Sequence, residues 1–162
     1  MKKVLSLNDG WIFCKEGVKE TVNIPHTWNG LDGQGACGED GYFRGACTYT
    51  RILPRYDGQV YLEFLGANSI CTVKVNGRLA GKHEGGYAPF SFDVTKLIVE
   101  GENTLVVKVT DELNKDYPYG KQCRNRGGMW YTSTSGIWQS VWLEQVPETY
   151  IQGLKLTPDL NG

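Results

Sequence analysis

Two adjacent carboxylate pairs, Glu39-Asp40 and Asp111-Glu112, are the first groups in this sequence whose type and spacing could do acid–base chemistry. Neighbours in an extended chain point to opposite faces, so neither pair converges on one atom without a special turn. Both read as solvated acids of loops and strand ends. The run DELNKD at 111–116 spaces oxygen ligands much as a calcium loop does, but it lacks the central glycine and the terminal glutamate. His26 in IPHTW and His83 in GKHEGGY have no Ser or Cys partner in a nucleophile motif. Each reads as a hydrogen-bonded structural histidine. GKHEGG lacks the glycine order and the Lys-Ser/Thr ending of a phosphate loop. The sequence therefore assigns no catalytic residue, no metal ligand and no cofactor.

Aromatic rings carry the stronger signal. Nineteen residues are Phe, Trp or Tyr, and many fall in two irregular stretches, 27–46 and 112–134. A sugar presents apolar C–H faces rimmed by hydroxyls; flat rings suit the faces, and amide, carboxylate and guanidinium groups suit the rims. Asn29, Asp32 and Arg124 stand near such rings in sequence, and Trp130 and Tyr131 supply rings in the second stretch. These five are the expected substrate-binding residues. Trp28 and Trp138 sit in strand-like context, and packing is the simpler role for both.

The elements that must position these groups are strands. Apolar residues alternate in VYLEFLG (Val60, Leu62, Phe64), SICTVKV (Cys71, Val73, Val75), TLVVKV (Leu105, Val107, Val109) and VWLEQV (Val141, Leu143). That period marks strands with one face in a core. Asn76-Gly77 between two such runs is a strong hairpin signal, since both residues tolerate positive φ. FDVTKL fits one tight helical turn with Asp93 as its cap. With 21 glycines and no long helical period, the fold class is all-β, a sandwich or jelly roll. Its core is expected from the inner faces between Val60 and Val146.

Composition narrows the partners. Seventeen basic and 18 acidic residues give a net charge of -1, with no basic run to meet a phosphate backbone, so nucleic acid is excluded as a partner. No apolar run reaches membrane length. The five cysteines contain no Cys-x-x-Cys, which fits reduced thiols in a soluble, cytoplasmic protein.

The segments LNDGWIF, IPHTWNGLD, YFRGACTYTR, VKVNGRLAGKHEGGYAPFSFDVT, GENTLVVKV and GIWQSVWLE together resemble the N-terminal sugar-binding, jelly-roll domain of glycoside hydrolase family 2. That domain is galactose-binding-domain-like in fold. The resemblance covers about residues 5–147 and implies a sugar-binding domain over 1–147. Residues 148–162 would then be a linker and the first strand of a truncated immunoglobulin-like domain. It further implies a parent that is a retaining β-glycosidase, β-galactosidase type first. The two glutamates would lie on a barrel outside this chain, so the 162-residue chain alone is expected to be inactive. The expected partner is a β-glycoside carbohydrate held jointly with that catalytic barrel, and homo-oligomerisation of the parent stays open. In the family's β-galactosidases an aspartate precedes SGI and reaches the sugar and a sodium ion; here the matching position is Trp130 or Gly128. A stand-alone carbohydrate-binding module and a purely structural domain remain alternatives.

Overall fold

The computed structural model describes residues 2–29, 42–113, 116–122 and 129–160. Ten strands occur among them: β1 Lys3–Ser6, β2 Trp11–Lys15, β3 Val18–Val22, β4 Gly45–Leu53, β5 Gln59–Phe64, β6 Ile70–Val75, β7 Arg78–Glu84, β8 Phe90–Asp93, β9 Asn103–Asp111 and β10 Val141–Val146. They form two antiparallel sheets, β1-β10-β5-β8 and β3-β2-β4-β9-β6-β7. The only helical element among the described residues is a 3₁₀ turn at Thr95–Leu97. The fold is an all-β sandwich, as the alternating runs dictate.

Alternation decides which side chains meet. Val60, Leu62 and Phe64 of β5 face Cys71, Val73 and Val75 of β6 and Leu105, Val107 and Val109 of β9 across the interior, all buried. Burying each large apolar side chain contributes roughly 1.5–3 kcal/mol. The core starts earlier in the chain than the sequence pattern suggested, because Leu7, Trp11, Phe13, Ile24 and Trp28 join the same cluster. Their strands are short and their aromatic spacing is irregular, which hid the period-2 signal.

Local chemistry fixes the corners. Asn76 and Gly77 adopt φ 52 and 76 between the paired Val75 and Arg78, the two-residue turn whose twist matches the strands it joins. The Asn76 amide nitrogen also donates to Leu97 O at 2.9 Å and to Asn103 Oδ1 at 2.8 Å, binding the hairpin tip to β9. Asp93 Oδ1 accepts the Thr95 N–H at 2.9 Å at the entry to the 3₁₀ turn, whose N-cap position is Val94 and which the Leu97 N–H to Val94 O bond of 2.8 Å closes.

Three sequence expectations change here. GIWQS is not strand: β10 begins only at Val141, because the backbone of residues 134–137 bonds to two loops instead of a neighbouring strand. Asp111 is not solvated. Its side chain is 1% exposed and paired with Arg44 Nη1 at 3.3 Å. His83 has no hydrogen bond at its buried Nε2 among the described residues; its ring stacks on Phe90 at 4.0 Å. After β10, residues 147–160 form no strand and are exposed apart from Tyr150, which is half-buried with its ring 6.3 Å from that of Tyr61.

Candidate functional site

One end of the sandwich is built around the segment that precedes β10. His26 N–H donates to Ile137 O at 2.8 Å and Trp28 N–H to Ser135 O at 3.3 Å, on one side. On the other, Asn68 and Gly136 exchange two backbone hydrogen bonds, 2.9 and 3.3 Å. The segment is thus strung between two loops. Gly136 is obligatory there: its φ is 105, and a Cβ would stand 2.4 Å from the Tyr49 hydroxyl.

Buried polar groups hold this segment from below. Asp111 Oδ2 accepts the Ser135 hydroxyl and the Arg44 guanidinium, and its Oδ1 accepts the Leu113 N–H at 2.9 Å. Arg44 Nη1 also donates to Ser133 Oγ at 3.0 Å. A carboxylate removed from water needs such saturation, since a buried charge with an unfilled shell is costly. Gln122 continues the network upward. Its Oε1 accepts Thr134 N–H at 2.6 Å and Ser133 Oγ at 3.2 Å, while its Nε2 donates to the Tyr87 hydroxyl at 3.2 Å.

Above this base lies Trp138. Its ring covers Gly66, where a Cβ would come within 3.0 Å of the indole, and its Nε1 donates to Gly86 O at 2.8 Å. Tyr87 meets it edge-on at 6.1 Å. A cavity of about 50 Å³ lies between Trp138, Tyr87, Asn68, Gln122 and Thr134. A second, of about 220 Å³, shares Trp138 and Thr134 and is closed by Pro25, His26 and Thr27. Burial lowers the His26 pKa from its ordinary 6.5, with Glu20 opposing the shift, and Nδ1 shares a hydrogen with Tyr49 OH at 2.8 Å. The imidazole is a neutral wall of the groove.

The expected site residues separate. Asn29 is fully buried, donating to Ser133 O at 3.2 Å and Ser135 Oγ at 2.8 Å, so it braces the segment from inside. Trp130 and Tyr131 are 49% and 66% exposed. Tyr131 is tied to the groove through its N–H bond to Lys121 O at 2.8 Å and its bridge to Gln122. Asp32 and Arg124 lie outside the described residues. Trp28 packs in the core, stacked on Phe13. Trp138, Asn68, Gln122 and Thr134 were missed by sequence reasoning. A signal existed for Trp138: with Val141 and Leu143 inward, period-2 parity puts Ile137 inside and Trp138 outside. Among the described residues no group of three or more His, Cys, Asp or Glu is placed to hold a metal ion. No helix among them is long and apolar enough to cross a membrane.

Comparison with known proteins fixes the lineage of this arrangement. The family model described as "Glycosyl hydrolases family 2, sugar binding domain" matches residues 48–147. The chain belongs to that family. A β-galactosidase of Thermoanaerobacter pseudethanolicus is 30% identical over 98% of this chain and 23% of its own length. A β-glucuronidase of Bacteroides fragilis is 36% identical over 65% of this chain and 16% of its own. Among solved structures, an FMN-binding β-glucuronidase from Facaelibacterium prausnitzii superposes with a TM-score of 0.72 at 35% identity, covering 91% of this chain and 23% of that one. The chain therefore spans about a fifth of the length of such relatives.

Proposed function

We propose that this domain lends the Trp138 groove and the Trp130–Tyr131 rim to the substrate pocket of a retaining β-glycosidase, with a β-galactoside as the substrate. The observation that carries the reading is the groove itself, an indole floor with amide and hydroxyl walls, on a domain of the family 2 sugar-binding type. Retention requires two carboxyl groups ~5–5.5 Å apart. Among the described residues none that lines the groove is acidic; on this reading a catalytic barrel supplies the bond-breaking pair and the domain alone does not cleave.

β-Glucuronide hydrolysis is the second reading. It is favoured by the relatives named β-glucuronidase and by Lys121, Arg124 and Arg126 in the stretch before Trp130, which could meet a uronate. The free thiols of Cys14, Cys47 and Cys71 support a reducing, cytoplasmic setting for the parent. The test is hydrolysis of nitrophenyl β-galactoside, β-glucuronide and β-mannoside by the full-length parent, wild type and Trp130→Ala. The expected outcome is cleavage of the galactoside, with kcat/KM about 5- to 150-fold lower in the variant if a contact of ~1–3 kcal/mol is lost. Silence on all three substrates refutes the enzyme reading.

A further inference from the structure

We infer that the outer face of the six-stranded sheet is a docking surface for a linear acidic polysaccharide. Its carboxylates meet lysines set in line across the strands, and one of its rings sits in a cavity over β2 and β4. The surface goes beyond the proposed function and shares no residue with the Trp138 groove.

Strand register assembles this face. Lys19, Cys14, Thr48, Lys108, Thr72 and Lys82 are paired each to the next from β3 to β7, one row across all six strands. At about 4.8 Å per step the row spans roughly 24 Å. Beside it runs a second row of Thr21, Ile12, Thr50, Val106, Lys74 and Leu79. The alternate residues Phe13, Tyr49, Val107 and Val73 fill the core, so both rows point outward. Four exposed lysines thus share one face, although none neighbours another in sequence. Glu84 is the only acid at an outward position of the six strands, and it is bonded to Lys82. Lys19, Lys74 and Lys108 enter no ion pair among the described residues.

A cavity of about 370 Å³ opens on the same face, lined by Ile12, Thr50 and Ile52 with Asp9, Gly10 and Arg51. That volume is in the range of small-ligand sites. Ile12 and Ile52 supply an apolar floor and Thr50 a hydroxyl. Arg51 is fixed by bonds from Nη1 to Leu7 O at 3.2 Å and Asp9 Oδ1 at 2.9 Å, so the Asp9 charge is offset where it enters the cavity.

Charge and shape select the occupant. Protein interfaces favour aromatic residues and arginine and are poor in lysine, whereas the two rows hold lysines and no ring. Nucleic acids are gripped by rings that stack on bases, or by a helix or ribbon that enters a groove; this face offers neither. A membrane plane cannot follow Ile12 and Ile52 into a depression. A chain one sugar wide can, with compact ammonium charges on its carboxylates and threonine hydroxyls on its own.

The test is titration calorimetry of the 162-residue chain with hexagalacturonate. Binding is expected to weaken about tenfold from low to physiological salt, and neutral maltohexaose is expected to give no heat. The double variant Lys74→Gln/Lys108→Gln removes two exposed charges and is expected to bind about tenfold more weakly with an unchanged urea midpoint. Ile52→Glu, which sets a carboxylate at the cavity, is expected to weaken binding to a similar degree. No heat with hexagalacturonate at low salt, equal affinity for maltohexaose, or unchanged affinity in either variant would each overturn the proposal. Tighter binding of a single-stranded oligonucleotide or of phosphatidylserine vesicles would also overturn it, in favour of that class of partner.

Discussion

Replacing Gly136 by alanine tests whether the segment before β10 is as tightly determined as its contacts imply. The new methyl group would sit 2.4 Å from Tyr49 OH and 3.1 Å from His26 O, at a backbone φ of 105. Ordinary contact begins near 3.4 Å, so the hydroxyl must retreat by about an ångström. Tyr49 has no room to do so, being fully buried against Trp11 and Phe13. Backbone strain at such a φ costs ~1–3 kcal/mol, and overpacking a filled core costs a further ~1–3 kcal/mol. Losing the Tyr49–His26 hydrogen bond adds ~0.5–1.5 kcal/mol. A loss of about 2.5–7.5 kcal/mol follows when the three add. Urea unfolding followed by tryptophan fluorescence should show the midpoint falling by ~1–4 M at an m of about 2 kcal/mol/M, and the thermal midpoint should fall by about 5–30 °C. In a Tyr49→Phe background the clashing oxygen is gone, so the same alanine should cost at least ~1 kcal/mol less. A drop below ~1 kcal/mol in the wild-type background, or full additivity of the two changes, would refute the packing argument.

Two further predictions rest on titratable groups. Burial holds His26 below its ordinary pKa of 6.5, so above that pH folded and unfolded chains are both neutral there. As pH falls below 6.5 the unfolded chain takes up a proton that the folded chain resists, and stability declines; His26→Gln should flatten the difference in urea midpoint between pH 8 and pH 5.5. Burial also raises the Cys47 and Cys71 thiols to about 12, leaving almost no thiolate at pH 8. Iodoacetamide at that pH should leave both unmodified by mass spectrometry until denaturant is added.

Legibility in the sequence followed from how local each cause is. Asn76-Gly77 announces its turn because positive φ is a property of two residues, and Val60, Leu62 and Phe64 announce a strand face because alternation needs only neighbours. Asp111 could not be read this way. From its sequence context it is a strand-end acid, and only the arrival of Arg44, 67 positions away in sequence, and Ser135, 24 away, turns it into a buried anchor. Asn29 looked like a sugar contact from the rings near it, yet Ser133 and Ser135 draw its amide inward across 104 and 106 positions.

By itself, then, the sequence determined the class of element, the period that fills the core, and the family motifs along the chain, because all of these are written in residues close together. The tertiary structure alone decided that Trp138 faces a groove and that Gln122, Asn68 and Thr134 stand beside it. Asn68 comes from the β5–β6 loop and Gln122 and Thr134 from the long β9–β10 connection, and their meeting depends on which strands pair and where the chain must close. A side chain's type is local, whereas its surroundings are a sum over distant backbone.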